Sequence, residues 1–178
     1  MLPVEFTEIE FPPLVNSPAD PTWPMGIYAQ HTMLVRFKEL LAQREVVWLN
    51  EDVEGVHQIR VAARRCRTAL QTFAPLWPEA DVRRFLRYLT SLADAFGTAR
   101  DLDVMVIYLR EQLTSAEGDE AVAYRWLLER NEGLRAQEQP ALERVLLRLE
   151  EDQFAQALVA YFASTPVDIW ALLEGHNG

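Results

Sequence analysis

The sequence predicts an all-α fold, an antiparallel helical bundle built as one domain. The chain has 178 residues, of which 49% are hydrophobic, so it can bury a single core of ordinary size. Apolar residues recur at spacings of three and four, which is the period of a helix with one buried face. Only seven glycines occur and no turn signal separates alternating strand-like runs. Short connections between the helices make neighbours antiparallel.

Residues 1–24 are predicted to form an extended arm, because six of the ten prolines fall there. Its apolar residues are expected to contact the body of the protein or a partner; these are Val4, Phe6, Ile9 and Phe11. The bundle is predicted over residues 25–163, and residues 164–178 form a tail.

The first predicted helix covers residues 25–49, with Thr22 and Pro24 at its start. The second covers residues 53–74, with Asp52 as its cap and Pro75 and Pro78 after its end.

A third helix is predicted over residues 79–96, with Gly97 as the residue that ends it. The fourth covers residues 99–113, and Thr98 with Asp101 has the spacing of a capping box. The last helix covers residues 120–163 and is expected to kink or break near Pro140.

Composition excludes several classes of protein. One cysteine cannot build a disulfide framework, and no apolar run approaches the roughly 18 residues of a membrane helix. The N-terminus is acidic and contains Pro3, unlike a secretory signal, so a cytoplasmic location is expected. We expect no metal or other cofactor, since Asp101 is better explained as a capping acid, and no catalytic constellation is recognisable.

The net charge of −10 argues against a nucleic-acid-binding protein, yet the charge is unevenly distributed. Residues 57–100 hold eight arginines and three acidic residues, a net charge of +5. The rest of the chain holds 9 basic and 24 acidic residues, a net charge of −15. The arginine-rich segment therefore points to a local anion site.

The second predicted helix carries this positive charge as a line beside its buried face. Its apolar stripe consists of Val56, Ile59, Ala63, Cys66, Leu70 and Phe73. An adjacent arc holds His57, Arg60, Arg64 and Arg67, spread over about 15 Å of helix axis. Arg65 points to the far side.

This line suits a chain of regularly spaced anions, because a single phosphate reaches only one or two such residues. No acidic residue lies between positions 57 and 71 to neutralise the arginines. Acidic residues of neighbouring helices could still pair with them, and an intramolecular ion network remains the alternative.

Two motifs resemble a known family. Residues 57–67 read HQIRVAARRCR, which is similar to the H-x-x-R-V-x-x-R-R-x-R signature of the CHAD family, the conserved-histidine α-helical domain. Residues 97–104 read GTARDLDV and resemble its second signature, G-x-x-R-D-x-D-V. The resemblance extends over about residues 25–163.

The resemblance implies a non-catalytic domain that binds inorganic polyphosphate and accompanies polyphosphate granules. Together with the charge line, it predicts a site formed by His57, Arg60, Arg64, Arg67, Arg100, Arg83 and Arg87. The alternative function is a structural module that docks an acidic protein through the same surface. Affinity that rises with the length of a polyanion would separate the two, while nucleic acid and membranes are unlikely partners.

The family usually has two pseudo-symmetric halves, each with its own arginine-rich helix. This sequence has only one such helix and is similar to a half-length, single-repeat version of the domain. The face that a second half would cover suggests a twofold homodimer.

Overall fold

A computed structural model describes residues 6–50, 53–151 and 153–164. Every regular element in these residues is helical and none is a strand, which confirms the all-α prediction. The α-helices within these ranges are α1 (Met25–Leu41), α2 (Arg44–Leu49), α3 (Val53–Thr72), α4 (Glu79–Ala95), α5 (Gly97–Leu113), α6 (Gly118–Glu151) and α7 (Phe154–Ser164). Short 3₁₀ turns cover Pro13–Asn16 and Ala74–Leu76.

One hydrophobic core lies between α1, α3, α4, α7 and the second half of α6. The apolar stripe predicted on α3 faces this core, and Ile59, Cys66 and Leu70 are fully buried there. Aromatic rings fill the space between α4 and α7, where Phe85 packs against Phe154 and Phe162. Burial of the α3 stripe fixes the rotation of that helix, and so fixes which of its side chains reach solvent.

The predicted helix 25–49 was wrong at one point, because the chain turns at residues 42–43 and divides it into α1 and α2. The turn places Arg44 inside the protein, where its Nε donates to the carbonyl of Leu41 at 3.1 Å. The same guanidinium forms an ion pair with Glu150 and donates to the carbonyl of Thr7 at 3.3 Å. This buried ion pair depends on a residue far along the chain. Helical periodicity describes only local spacing and therefore cannot predict the pair or the turn.

The break that the sequence allowed near Pro140 does not occur, while the alternative of a kink there stays a prediction. Helix α6 continues through Pro140, although proline lacks the N–H that a helix interior uses. The break comes after Glu151, and Gln153 has a left-handed backbone with φ of 49°. The helix is held on both sides of the proline, by the Arg135–Asp103 hydrogen bond before it and by the buried Leu142 and Leu146 after it.

The predicted caps at the first and fourth helices do not form. Thr22 donates both its amide and its hydroxyl to Asp20, at 2.8 and 2.7 Å, and Pro24 precedes α1 without a side-chain cap. Gly97 follows Phe96, the cap residue of α4, and is also the first residue of α5, so Thr98 and Asp101 lie inside α5 instead of capping it.

Part of the N-terminal arm lies on the body of the protein. Phe6, Ile9 and Phe11 pack against the core, and the Thr7 amide donates to Glu150 at 3.0 Å. Val4, the cap predicted at Asp52 and the tail from residue 165 onward lie outside the described residues. The division into arm, bundle and tail stays a prediction.

Helices α5 and α6 form a pair whose outer faces carry exposed apolar side chains. On α5 these include Ile107 and Tyr108, and on α6 they include Val122 and Trp126. The homodimer stays a prediction. Among the described helices, none combines the length and apolar composition that a membrane span requires.

Candidate anion-binding site

A cleft of about 280 Å³ opens where α3, the end of α4 and the start of α5 meet. It is lined by His57, Arg60, Val61, Arg64, Arg67, Ala93, Asp94 and Arg100. The structure therefore brings together five of the seven residues predicted for the site. The cleft is near the small end of ligand sites, which favours a narrow ligand or a segment of a longer one.

Helix α3 supplies most of the cleft because its buried face holds it in one rotation. Ile59, Ala63 and Cys66 are almost completely buried, and the arginines on the adjacent arc consequently reach the cleft. Arg64 is exposed, whereas Arg60 and Arg67 are half-buried.

Arg60 is fixed by the end of α4. Its Nη1 donates to the carbonyl of Ala93 at 2.9 Å. That carbonyl is among the last four of α4, which have no partner within the helix. Arg60 thus satisfies a helix end and lines the cleft at the same time.

Gly97 makes room for this arrangement. A Cβ atom at Gly97 would come within 3.2 Å of Arg60 Nη1, closer than most such contacts in proteins. A glycine at the start of α5 lets the guanidinium lie close to the backbone. This contact joins the two sequence motifs, because Arg60 belongs to the first and Gly97 to the second.

Arg100 enters the cleft from α5. Its Nη1 is buried and has no hydrogen-bond partner among the described residues. An unpartnered buried donor is costly, more so when it carries charge, and an anion in the cleft would offset that cost.

One turn further along α5, Asp103 is buried and accepts a hydrogen bond from Arg135 Nε at 2.7 Å. Burial raises the pKa of Asp103, although the charges of Arg135 and Arg100 oppose the increase. Arg135 also donates to Asn50 at 3.2 Å, so this network connects α2, α5 and α6 behind the cleft.

Positive charge in the cleft is largely uncompensated. Within the described residues, none of the four cleft arginines forms an ion pair with a carboxylate. His57 Nε2 lies 3.8 Å from Glu54 on its own helix. The intramolecular ion network considered from the sequence is therefore not seen in this part of the chain.

Asp94 is the lining residue that sequence reasoning missed. It lies in the last turn of α4, which the short α3–α4 connection brings back to the beginning of α3. The predicted antiparallel packing of these two helices was the signal that could have identified Asp94. One carboxylate against four guanidinium groups leaves the cleft strongly positive.

Arg83 and Arg87 do not line the cleft. Both are exposed on α4, and Arg83 forms an ion pair with Glu79 one turn earlier. Arg87 precedes Asp94 by seven residues and lies on the same face of α4. Their part in binding stays a prediction.

The other conspicuous side chains have structural surroundings. His31 is buried and its Nε2 lies 2.9 Å from the carbonyl of Ser17, so it holds the arm rather than the cleft. Cys66 is buried, and burial raises the pKa of its thiol. No three His, Cys, Asp or Glu side chains within the described ranges come together as a metal site.

The model of one protein family, the CHAD domain, matches residues 33–174 and so covers most of the sequence. The chain belongs to the CHAD family. The resemblance seen in the two motifs is thereby confirmed, with a range close to the one predicted. CHAD domains are known for polyphosphate-related binding and are generally non-catalytic binding modules. Comparisons with curated proteins and with solved structures give no significant match.

Proposed function

We propose that this CHAD domain binds inorganic polyphosphate in the cleft, without catalysis, and associates with polyphosphate granules. The observation that carries the proposal is the cluster of four arginines and His57 around one cleft, with Asp94 as the one acidic lining residue. The net charge of the chain is −10, so this concentration of cations is not a general property of its surface.

The residue type and spacing favour a chain of phosphates over a single one. Arginine offers a planar fork of donors that suits phosphate oxygens and keeps its charge at every physiological pH. His57 and Arg67 are ten residues apart on α3, or about 15 Å along the helix axis. Phosphates spaced along one chain can therefore meet successive turns of α3.

Binding of this kind should depend strongly on salt. Each neutralised phosphate releases condensed counterions, with a log–log slope of about −0.7 per contact for a single strand. Four or five contacts, taken by analogy with single-stranded nucleic acid, give a slope of roughly −3.

The test is a titration with polyphosphates of graded length at several salt concentrations, comparing two double variants of equal charge. Arg64→Ala/Arg67→Ala removes two cleft cations that form no hydrogen bond within the described parts of the chain. Arg125→Ala/Arg144→Ala removes two exposed arginines of α6 that lie outside the cleft. Both lower the net charge from −10 to −12.

At about 1.5 kcal/mol for each lost charged contact, the cleft variant should bind roughly 100-fold more weakly than the parent protein. The control should bind like the parent. Equal binding by the two variants would place the site elsewhere, and a parent that binds no polyphosphate at low salt would refute the function. Affinity that does not rise with chain length would favour an acidic protein partner instead.

A further inference from the structure

A second groove lies on the other side of α3, between that helix and α1. Arg64 lines both this groove and the cleft. Arg65 and Arg36 also line the groove, whereas none of its lining residues is acidic. The cleft and the groove therefore share Arg64 and lie next to each other on the two sides of it.

Helix geometry explains the sharing. Successive residues of α3 are separated by about 100°, so Arg65 follows Arg64 around the helix toward α1. Arg60 and Arg67 lie on the opposite side of Arg64, toward α4. Arg64 is exposed and stands on the ridge between the two depressions. Helical spacing predicts Arg65 on the far side of α3, and the packing of α1 against α3 turns this side into a groove.

We propose that a polyphosphate chain longer than the cleft crosses α3 over Arg64 and continues into this groove, where Arg65 and Arg36 bind it. This inference rests on the proposed function of the cleft. It adds a second subsite that only long chains reach.

The groove has free donors at the end near Arg64. Arg36 uses its Nη1 for both carboxylate oxygens of Glu39, at 2.8 and 2.9 Å, and its Nε and Nη2 have no hydrogen-bond partner in the described part of the chain, so both can bind a ligand. The hydroxyl of Thr68, four residues after Arg64, makes no hydrogen bond within the described residues and can donate as well.

The opposite end of the groove is apolar. Tyr28 and Phe73 meet there edge to face, with ring centroids 6.2 Å apart. Arg36 and Arg65 are each eight residues from this pair along their helices, about 12 Å away. The polar end beside Arg64 is thus the part of the groove that suits phosphates, and the aromatic pair marks its limit.

The experiment compares tripolyphosphate, which is short enough for the cleft, with a polyphosphate of about a hundred units. Arg65→Ala and, separately, Arg36→Gln are titrated with each ligand by calorimetry. Arg125→Ala is the control, because it removes the same charge from an exposed site on α6. Circular dichroism checks that each variant has the helix content of the parent.

Both groove variants should bind tripolyphosphate like the parent. Long-chain affinity should fall about tenfold, and the log–log salt slope for the long chain should become shallower by about 0.7. The control variant, Arg125→Ala, should bind both ligands with the affinity of the parent protein.

If both groove variants bind the long chain as tightly as Arg125→Ala does, the second subsite is wrong. The proposed binding in the cleft would be unaffected by that result. An equal loss for the short and the long chain would also overturn it, since the groove would then not distinguish length. A parent that binds neither ligand would instead refute the proposed function itself.

Discussion

Replacement of Arg135 should test how the fold behind the cleft is held together. The Arg135–Asp103 ion pair joins α5 to α6, and the side chains are only 10% and 1% exposed. Arg135→Ala leaves a carboxylate buried without its cation, and such uncompensated charges cost about 3–5 kcal/mol. For a chain of this size, each kcal/mol shifts the melting temperature by about 2–4 °C, so we expect a decrease of about 6–20 °C.

A second ion pair between the same two helices provides the control. Arg110 pairs with Glu132 at 2.6 Å, but these side chains are 57% and 41% exposed. Exposed pairs contribute about 1 kcal/mol or less, so Arg110→Ala should lower the free energy of unfolding only slightly. The two variants lose the same charge and differ in burial.

The loss should also depend on pH. Burial raises the pKa of Asp103 above its ordinary value of 3.8, so the folded protein holds this proton more tightly than the unfolded chain does. The contribution of Asp103 to stability is therefore greatest at low pH and decreases as the pH rises through the raised pKa. Without Arg135 the pKa rises further, and the penalty of Arg135→Ala should be larger at pH 7 than near pH 4.

Urea unfolding followed by far-UV circular dichroism at both pH values measures these differences. Asp103→Asn in the Arg135→Ala background removes the stranded charge and should recover part of the stability at pH 7. The reasoning is refuted if Arg135→Ala and Arg110→Ala lose equal stability at pH 7, or if the Arg135→Ala loss is the same at both pH values.

Three other substitutions or reactions address neighbouring features. Gly97→Ala should push Arg60 out of place and weaken polyphosphate binding in calorimetry, while thermal stability changes by about 1 kcal/mol or less, because alanine favours the helix. Unchanged affinity would show that Arg60 tolerates the added methyl group. Cys66 should not react with a thiol reagent at pH 8 until urea unfolds the protein, since burial raises its pKa; rapid labelling of the native protein would contradict this. Arg44→Ala should lower the free energy of unfolding by at least about 2 kcal/mol in urea titrations, because it strands the Glu150 carboxylate, and a smaller loss would show that water reaches Glu150.

Helical periodicity was enough to predict the fold class and most helices, because it sums many weak preferences along each segment. The breaks were not predictable in the same way. The turn at residues 42–43 places Arg44 against Glu150, a residue 106 positions away, and no local pattern contains that information. Pro140 was a strong local signal for a break, and the helix nevertheless continues through it.

The residues of the cleft were likewise predictable from the sequence only in part. The arc on α3 follows from the spacing of its buried residues, and the motif containing Arg100 supplied the α5 side. Asp94 and the groove beside Arg65 depend on how α4 and α1 pack against α3, which the sequence of α3 alone does not describe.

The hydrogen bond from Arg60 to Ala93 has a consequence for the rates of binding. A free arginine side chain has about 2 kcal/mol of rotamer entropy to lose, and Arg60 has already lost part of it in the unliganded protein. Arg64 is exposed and forms no such bond within the described residues, so it has this entropy still to lose. Contact with Arg60 therefore costs a ligand less side-chain entropy than contact with Arg64 does. On the proposed function, a phosphate held by Arg64 should exchange faster than one held by Arg60.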